Sequence, residues 1–143
     1  MSAEKLYSEV FEEYQKLTDK KDQIALLQKY DHKRFRDFLQ LAFNKHIKFD
    51  VEIPKYRPAP EPAGLNFTYL DIEMSKMYRF VTGHVKRPQG LTPEKQKSLL
   101  LVILESLHKD EAELLVKLIN KDLGIPTLNR KIVQEAFPDL DLG

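Results

Sequence analysis

A chain of 143 residues, 42% hydrophobic and 31% charged, is sized for one globular domain with one core; its composition is neither that of a disordered chain nor of a membrane protein. The longest apolar run, Leu99 to Leu104, falls far short of the roughly 18–20 residues that cross a bilayer, and without cysteine there is no disulfide, zinc ribbon or thiol nucleophile. The acidic N-terminus (Glu4, Glu9, Glu12, Glu13) reads as neither signal nor transit peptide, and a net charge of +1 leaves any polyanion argument to local charge.

Ser2 is the expected N-cap of a first helix, with Leu6, Val10, Phe11, Tyr14 and Leu17 on one face. Thr18 or Asp19 caps a second, with Ile24, Leu27 and Tyr30 inward. Asp31 opens a third, whose stripe is Phe35, Phe38, Leu39, Ala42 and Phe43. Residues 44–67 then carry Pro54, Pro58, Pro60 and Pro62, which forbid helix and central strand and favour an extended path. The interspersed Phe49, Val51, Ile53, Tyr56, Leu65 and Phe67 suggest a loop laid across the helices. Thr68 with Asp71 resembles a capping box, opening a helix that buries Leu70, Met74, Met77, Tyr78 and Val81 and ends at Gly83.

Thr92-Pro93-Glu94 is the clearest helix start: an N-cap, a first-turn proline and an acid at the positive end of the dipole. The helix is apolar almost all round (Leu99, Leu100, Val102, Ile103, Leu104, Leu107), which places it mid-core. Asp110 starts the next, burying Ala112, Leu115, Leu118 and Ile119, and Gly124 closes it. Thr127 or Asn129 starts a last short helix with Ile132, Val133 and Phe137, stopped before Pro138. The pattern predicts one domain over residues 1–143, a compact all-α bundle of about six or seven helices, with no internal repeat.

Catalytic chemistry finds no foothold. His32, His46, His84 and His108 form no HExxH or i, i+4 metal pair and read as ordinary surface histidines. No phosphate-binding loop, dinucleotide fingerprint or nucleophile elbow occurs. The pairs Glu12–Glu13 and Asp110–Glu111 read as solvated charge on helix faces and N-termini. Asn66-Phe67-Thr68 matches a glycosylation acceptor but comes without a secretory signal. The expectation is a protein that is not an enzyme, with no cofactor and no metal, that acts by binding.

Charge is uneven. Cations concentrate at Lys29, Lys33, Arg34 and Arg36; at Lys76, Arg79, Lys86, Arg87, Lys95 and Lys97; and at Lys117, Lys121, Arg130 and Lys131. Acid concentrates in the first helix, around Glu105 to Glu113, and at Glu135, Asp139 and Asp141. Basic loops and helix ends can neutralise phosphates; by themselves these runs read as solvated helix surfaces.

Three stretches add a resemblance: Lys109 to Leu115, then Asn120-Lys121-Asp122-Leu123-Gly124-Ile125, then Lys131 to Leu140. They resemble the N-terminal DNA-binding domain of ATP-dependent DNA ligases, in which an acid-rich helix leads into an Asp-Leu-x-x-Gly turn and a closing Ala-Phe-Pro segment. Upstream, Lys21 to Tyr30 and Phe35 to Phe49 are similar to the opening helices of T-even phage ligase. Over nearly its whole length the chain also resembles a family of tailed-phage proteins, through Lys29-Tyr30-Asp31, Leu39 to Phe43, Ile47 to Asp50, Leu104 to His108 and Asp110 to Leu115. The resemblance implies an all-helical domain that holds duplex DNA by its backbone on the minor-groove side, with a phosphate at a helix N-terminus.

Carried over by position, the DNA-binding candidates are Lys121, Gly124, Thr127, Asn129, Arg130 and Lys131; Lys86 and Arg87 are added from charge. Pro126 after Ile125 departs from the ligase turn and changes which amides are free. No Lys-x-Asp-Gly adenylation motif occurs, so ligation is not expected. The leading expectation is a non-catalytic phage protein accessory to DNA metabolism in the cytoplasm of the infected host. Its alternatives are a protein–protein adaptor using Pro54 to Pro62 and Asp139 to Leu142, a virion component, or a host-directed inhibitor. The partners would be duplex DNA or a phage or host protein, with no membrane.

Overall fold

Apolar residues at helical spacing, punctuated by caps, build a bundle of seven α-helices. The computed structural model describes residues 6–60, 62 and 68–143, and no strand occurs among them. The helices are α1 (Tyr7–Gln15), α2 (Lys20–Lys29), α3 (Lys33–Phe43), α4 (Leu70–Glu73), α5 (Pro93–Ser106), α6 (Lys109–Ile119) and α7 (Arg130–Ala136). The all-α expectation holds. The proposed Ser2 cap, the Leu65 and Phe67 packing and most of the Asn66-Phe67-Thr68 motif lie outside the described residues.

Caps follow local chemistry where the side chain alone decides. Asp19 accepts from the Lys21 amide at the start of α2, Thr92 from Lys95 at α5, and Asn129 from Ile132 at α7. Elsewhere a neighbouring histidine takes the cap. His32, rather than Asp31, caps α3 through the Phe35 amide, while Asp31 grips Arg36 at 2.6 Å. His108 caps α6 through the Asp110 amide, so Asp110 lies inside the first turn.

The capping box expected at Thr68 is absent. Tyr69 precedes α4 without a side-chain cap, and the Thr68 hydroxyl donates to Glu73 instead. Nor does the α-helix run to Gly83: after one turn it tightens into a 3-10 helix over Met74–Phe80. Met74, Met77 and Phe80 are three apart, and three residues per turn puts all of them inward. Val81 then leaves the helix to form an antiparallel bridge with Phe49.

One continuous hydrophobic cluster runs from Tyr7 to Leu142. Helix α6 is its hub, packing against α1, α3, α4 and α5, while α2 packs on α7. Leu100, Leu104, Leu107, Leu115 and Leu118 are wholly buried, each worth roughly 1.5–3 kcal/mol relative to exposure. Helix α5 is less central than its composition predicts, since Val102 is 65% exposed. The proline-bearing segment does lie across the core. Pro54 is buried, Val51, Ile53 and Tyr56 pack on the cluster, and the Ala59 amide donates to the Leu107 carbonyl at 3.0 Å.

Candidate nucleic-acid interface

Most cations named by the sequence turn out to hold the fold. Helix α6 ends in a Schellman arrangement: the Lys121 amide donates to the Leu118 carbonyl and the Asp122 amide to that of Lys117. Lys121, not Gly124, takes the left-handed position after the helix, with φ 59°. Its ammonium turns inward to the carbonyls of Leu41 and Asn44 at the end of α3, and burial lowers its pKa. Gly124 also sits at positive φ, 70°, but its amide donates to the Asp122 carboxylate at 2.9 Å. Thr127 is exposed and its carbonyl accepts the Tyr14 hydroxyl. Asn129 is occupied as the α7 cap.

Arg130 reaches the carbonyls of Phe43 and Leu142 at 3.2 and 2.9 Å, pinning the C-terminal segment against the end of α3. Arg87 is bidentate on no one atom pair, but one of its nitrogens contacts both Asp50 oxygens at 2.8 Å and the Val81 carbonyl at 3.1 Å. Burial pushes the Asp50 carboxyl up, yet the bonds from Arg87 and Gln96 override it and hold the pKa below the ordinary value. Of the eight candidates, exposed Arg130 is engaged by backbone carbonyls, whereas Lys131 and Lys86 are exposed and make no side-chain hydrogen bond or ion pair among the described residues.

Those two belong to a path of contacts that the sequence does not reveal. From Arg130 the path passes to Phe43 at the end of α3. The Lys45 amide then donates to the Leu142 carbonyl at 3.2 Å, and the Thr82 amide to the Lys48 carbonyl at 2.8 Å. Residues 43–50 therefore connect the start of α7 to the turn at 82–91. Lys45 and Lys48, both exposed and also without a carboxylate partner among the described residues, ride on this segment. Neither stood in a basic run, because each is separated from the next lysine by neutral residues and is joined to the others through backbone bonds to residues distant in sequence.

The run Lys29 to Arg36 contributes little. Lys33 pairs with Asp37, Arg34 with Asp71, and Arg36 with Asp31 and Asp139 while lying 5.0 Å over the Phe137 ring. Likewise Lys76 pairs with Glu73 and Lys97 with Glu52.

Residues matching the family described as a family of unknown function, DUF6433, span 10–125, most of the chain. The chain belongs to the DUF6433 family. No curated protein matches it.

A second feature of this DUF6433 protein was also missed. Glu111, read from sequence as solvated, is 1% exposed. Its two oxygens accept the Ser8 amide at 2.9 Å and the Leu70 amide at 3.0 Å, so one carboxylate on α6 serves the N-termini of α1 and α4. Burial raises its pKa although both amides pull the other way. Beside it the buried Tyr7 hydroxyl donates to Asp71, and burial together with that bond drives the phenol pKa far up. No group of three or more acidic, histidine or cysteine residues able to hold a metal occurs among the described residues. No helix among them is long and apolar enough to cross a membrane.

Proposed function

We propose that this DUF6433 protein binds duplex DNA through its backbone, without catalysis, as an accessory in DNA metabolism. The observation that carries the reading is the contact path from α7 through residues 43–50 to the turn at 82–91. Along it Lys45, Lys48, Lys86 and Lys131 have no carboxylate partner among the described residues. Unpaired ammonium groups displace counterions from phosphates without first breaking an ion pair. The ligase resemblance supports the same class of ligand, and the phage resemblance supports a role in the cytoplasm of an infected host. Under this reading Lys86 and Lys131 contact phosphate, whereas Lys121, Arg130 and Arg87 hold the surfaces that carry them.

The test is fluorescence anisotropy on a labelled duplex across a salt series. Wild type should weaken linearly on a log–log plot with a slope of about −3 to −4, or roughly 0.9 per phosphate neutralised. Reversing Lys45, Lys48, Lys86 and Lys131 to glutamate should abolish binding, and reversing Lys21, Lys55, Lys109 and Lys117 should leave it. Equal losses in both sets contradict the assignment.

A second reading, a protein–protein adaptor, is favoured by an open groove of about 210 Å³ between α1 and α6. Phe11, Leu114, Leu123 and Ile125 line it with Glu12, Asp110 and Glu113 against the single cation Lys117, a net negative lining that suits a cationic segment. Of the adaptor surfaces expected from sequence, Pro54 and Leu142 are buried, the Leu142 carbonyl bonding to Lys45 and Arg130, while Pro60, Pro62, Asp139 and Asp141 are exposed. No duplex binding at low salt, with a basic partner retained, would favour this second reading.

A further inference from the structure

The turn at 82–91 is held more tightly than a solvated connection requires. Gly83 reverses the chain at φ 74°, a left-handed conformation that side chains disfavour. The His84 amide donates to the Val81 carbonyl, the Arg87 amide to the His84 carbonyl, and the Lys86 amide to His84 Nδ1 at 3.0 Å. Arg87 closes the base of the turn through Asp50 and Val81, and Gln96 at the start of α5 secures Asp50 and the Arg79 carbonyl from behind. Out of this braced turn projects Val85, 94% exposed, against 44% for Ile72 and 65% for Val102. On a loose loop such a side chain could fold back onto the protein. Here the bonds on both sides hold it in solvent, next to an unpaired lysine.

We propose that the turn is a preformed wedge. Val85 packs into the sugar-lined edge of a duplex groove, Lys86 takes the neighbouring phosphate, and Arg87 is a positioning residue that never touches the ligand. The inference rests on the DNA reading above and adds the contact that salt does not screen. Deoxyribose edges are apolar, and proteins that enter the minor groove use apolar wedges beside cations. A turn already braced by its own bonds loses little conformational freedom on docking, which favours tight contact over a small area. Duplex is a better fit than an anionic bilayer, since interfacial anchoring needs a broad apolar face and this turn offers one valine.

The chain has no tryptophan, so Val85→Trp places a single reporter at the crest. Adding duplex should quench its emission, while Val102→Trp on α5 should not respond. Val85→Ser should weaken duplex binding roughly tenfold at every salt concentration, leaving the log–log slope parallel to wild type. Lys86→Glu should instead flatten the slope by about 1. Val85→Ser should melt at the wild-type temperature, because the side chain has almost no intramolecular contact to lose. Wild-type affinity in Val85→Ser, or an unquenched Val85→Trp that still binds duplex, overturns the wedge and leaves the DNA reading standing. Failure of the wild type to bind duplex at low salt overturns both. A blue shift of Val85→Trp on phosphatidylserine vesicles, with no response to duplex, would assign the turn to membranes.

Discussion

Glu111 is a buried carboxylate whose oxygens accept the backbone amides of Ser8 and Leu70, with the Ser8 side chain as a further hydrogen-bond partner. Two helix N-termini supply the compensation that an ammonium would otherwise give. Glu111→Gln keeps the shape but turns an amide nitrogen toward one of those N–H groups. It should destabilise the protein by about 1–3 kcal/mol in urea unfolding. The pH dependence follows from the raised pKa. The folded state holds the Glu111 proton more firmly than the unfolded chain, so this group's stabilising contribution is full below the ordinary carboxylate pKa and is lost as pH rises through the folded value. The gap between wild type and Glu111→Gln should therefore narrow from acid toward neutral pH. A gap that widens would contradict the assignment. None of this was legible in sequence. An acid in the first turn of a helix is ordinarily solvated, and only packing brings the backbone of residues 8 and 70 against it.

At the level of elements, legibility follows the range of the deciding contact. Thr92-Pro93 was readable outright, and Asp19 and Asn129 each as one of two candidates beside Thr18 and Thr127, because an N-cap acts on amides two or three residues away. The end of α6 was misread because Lys121, rather than a glycine, takes the left-handed position, with its ammonium secured on α3. The tightening of α4 was hidden because Met74, Met77, Tyr78 and Val81 also satisfy an α-helical spacing; the bridge at Phe49 selects the alternative. Helix α5 shows what composition alone misses, a core face and a wet face built from the same residue types. Leu104→Ala should cost about 2–5 kcal/mol by leaving a cavity. Val102→Ser should change stability by no more than about 0.5 kcal/mol. Equal costs at the two positions would mean that α5 is buried all round.

Across the whole molecule, local charge runs and assembled charge differ. The run from Lys29 to Arg36 looks basic along the chain but is largely neutralised in space, by Asp31, Asp37, Asp71 and Asp139. Lys45 and Lys48 look isolated along the chain yet lie on the segment that connects α7 with the turn at 82–91. The bundle was readable from hydrophobic spacing, whereas the candidate interface depends on which carboxylates each cation meets after folding. Asp50 and Asp141 also lie along this path, Asp50 bound by Arg87, and a further acidic group, Glu12, Asp110 and Glu113, lines the groove between α1 and α6. The most direct check is to map amide chemical shifts during titration with a short duplex. The account predicts changes at residues 45–50 and 82–91 and at Arg130 and Lys131, with α1 and the exposed face of α6 unchanged. Shifts confined to the α1–α6 groove, or none at low salt, would contradict it.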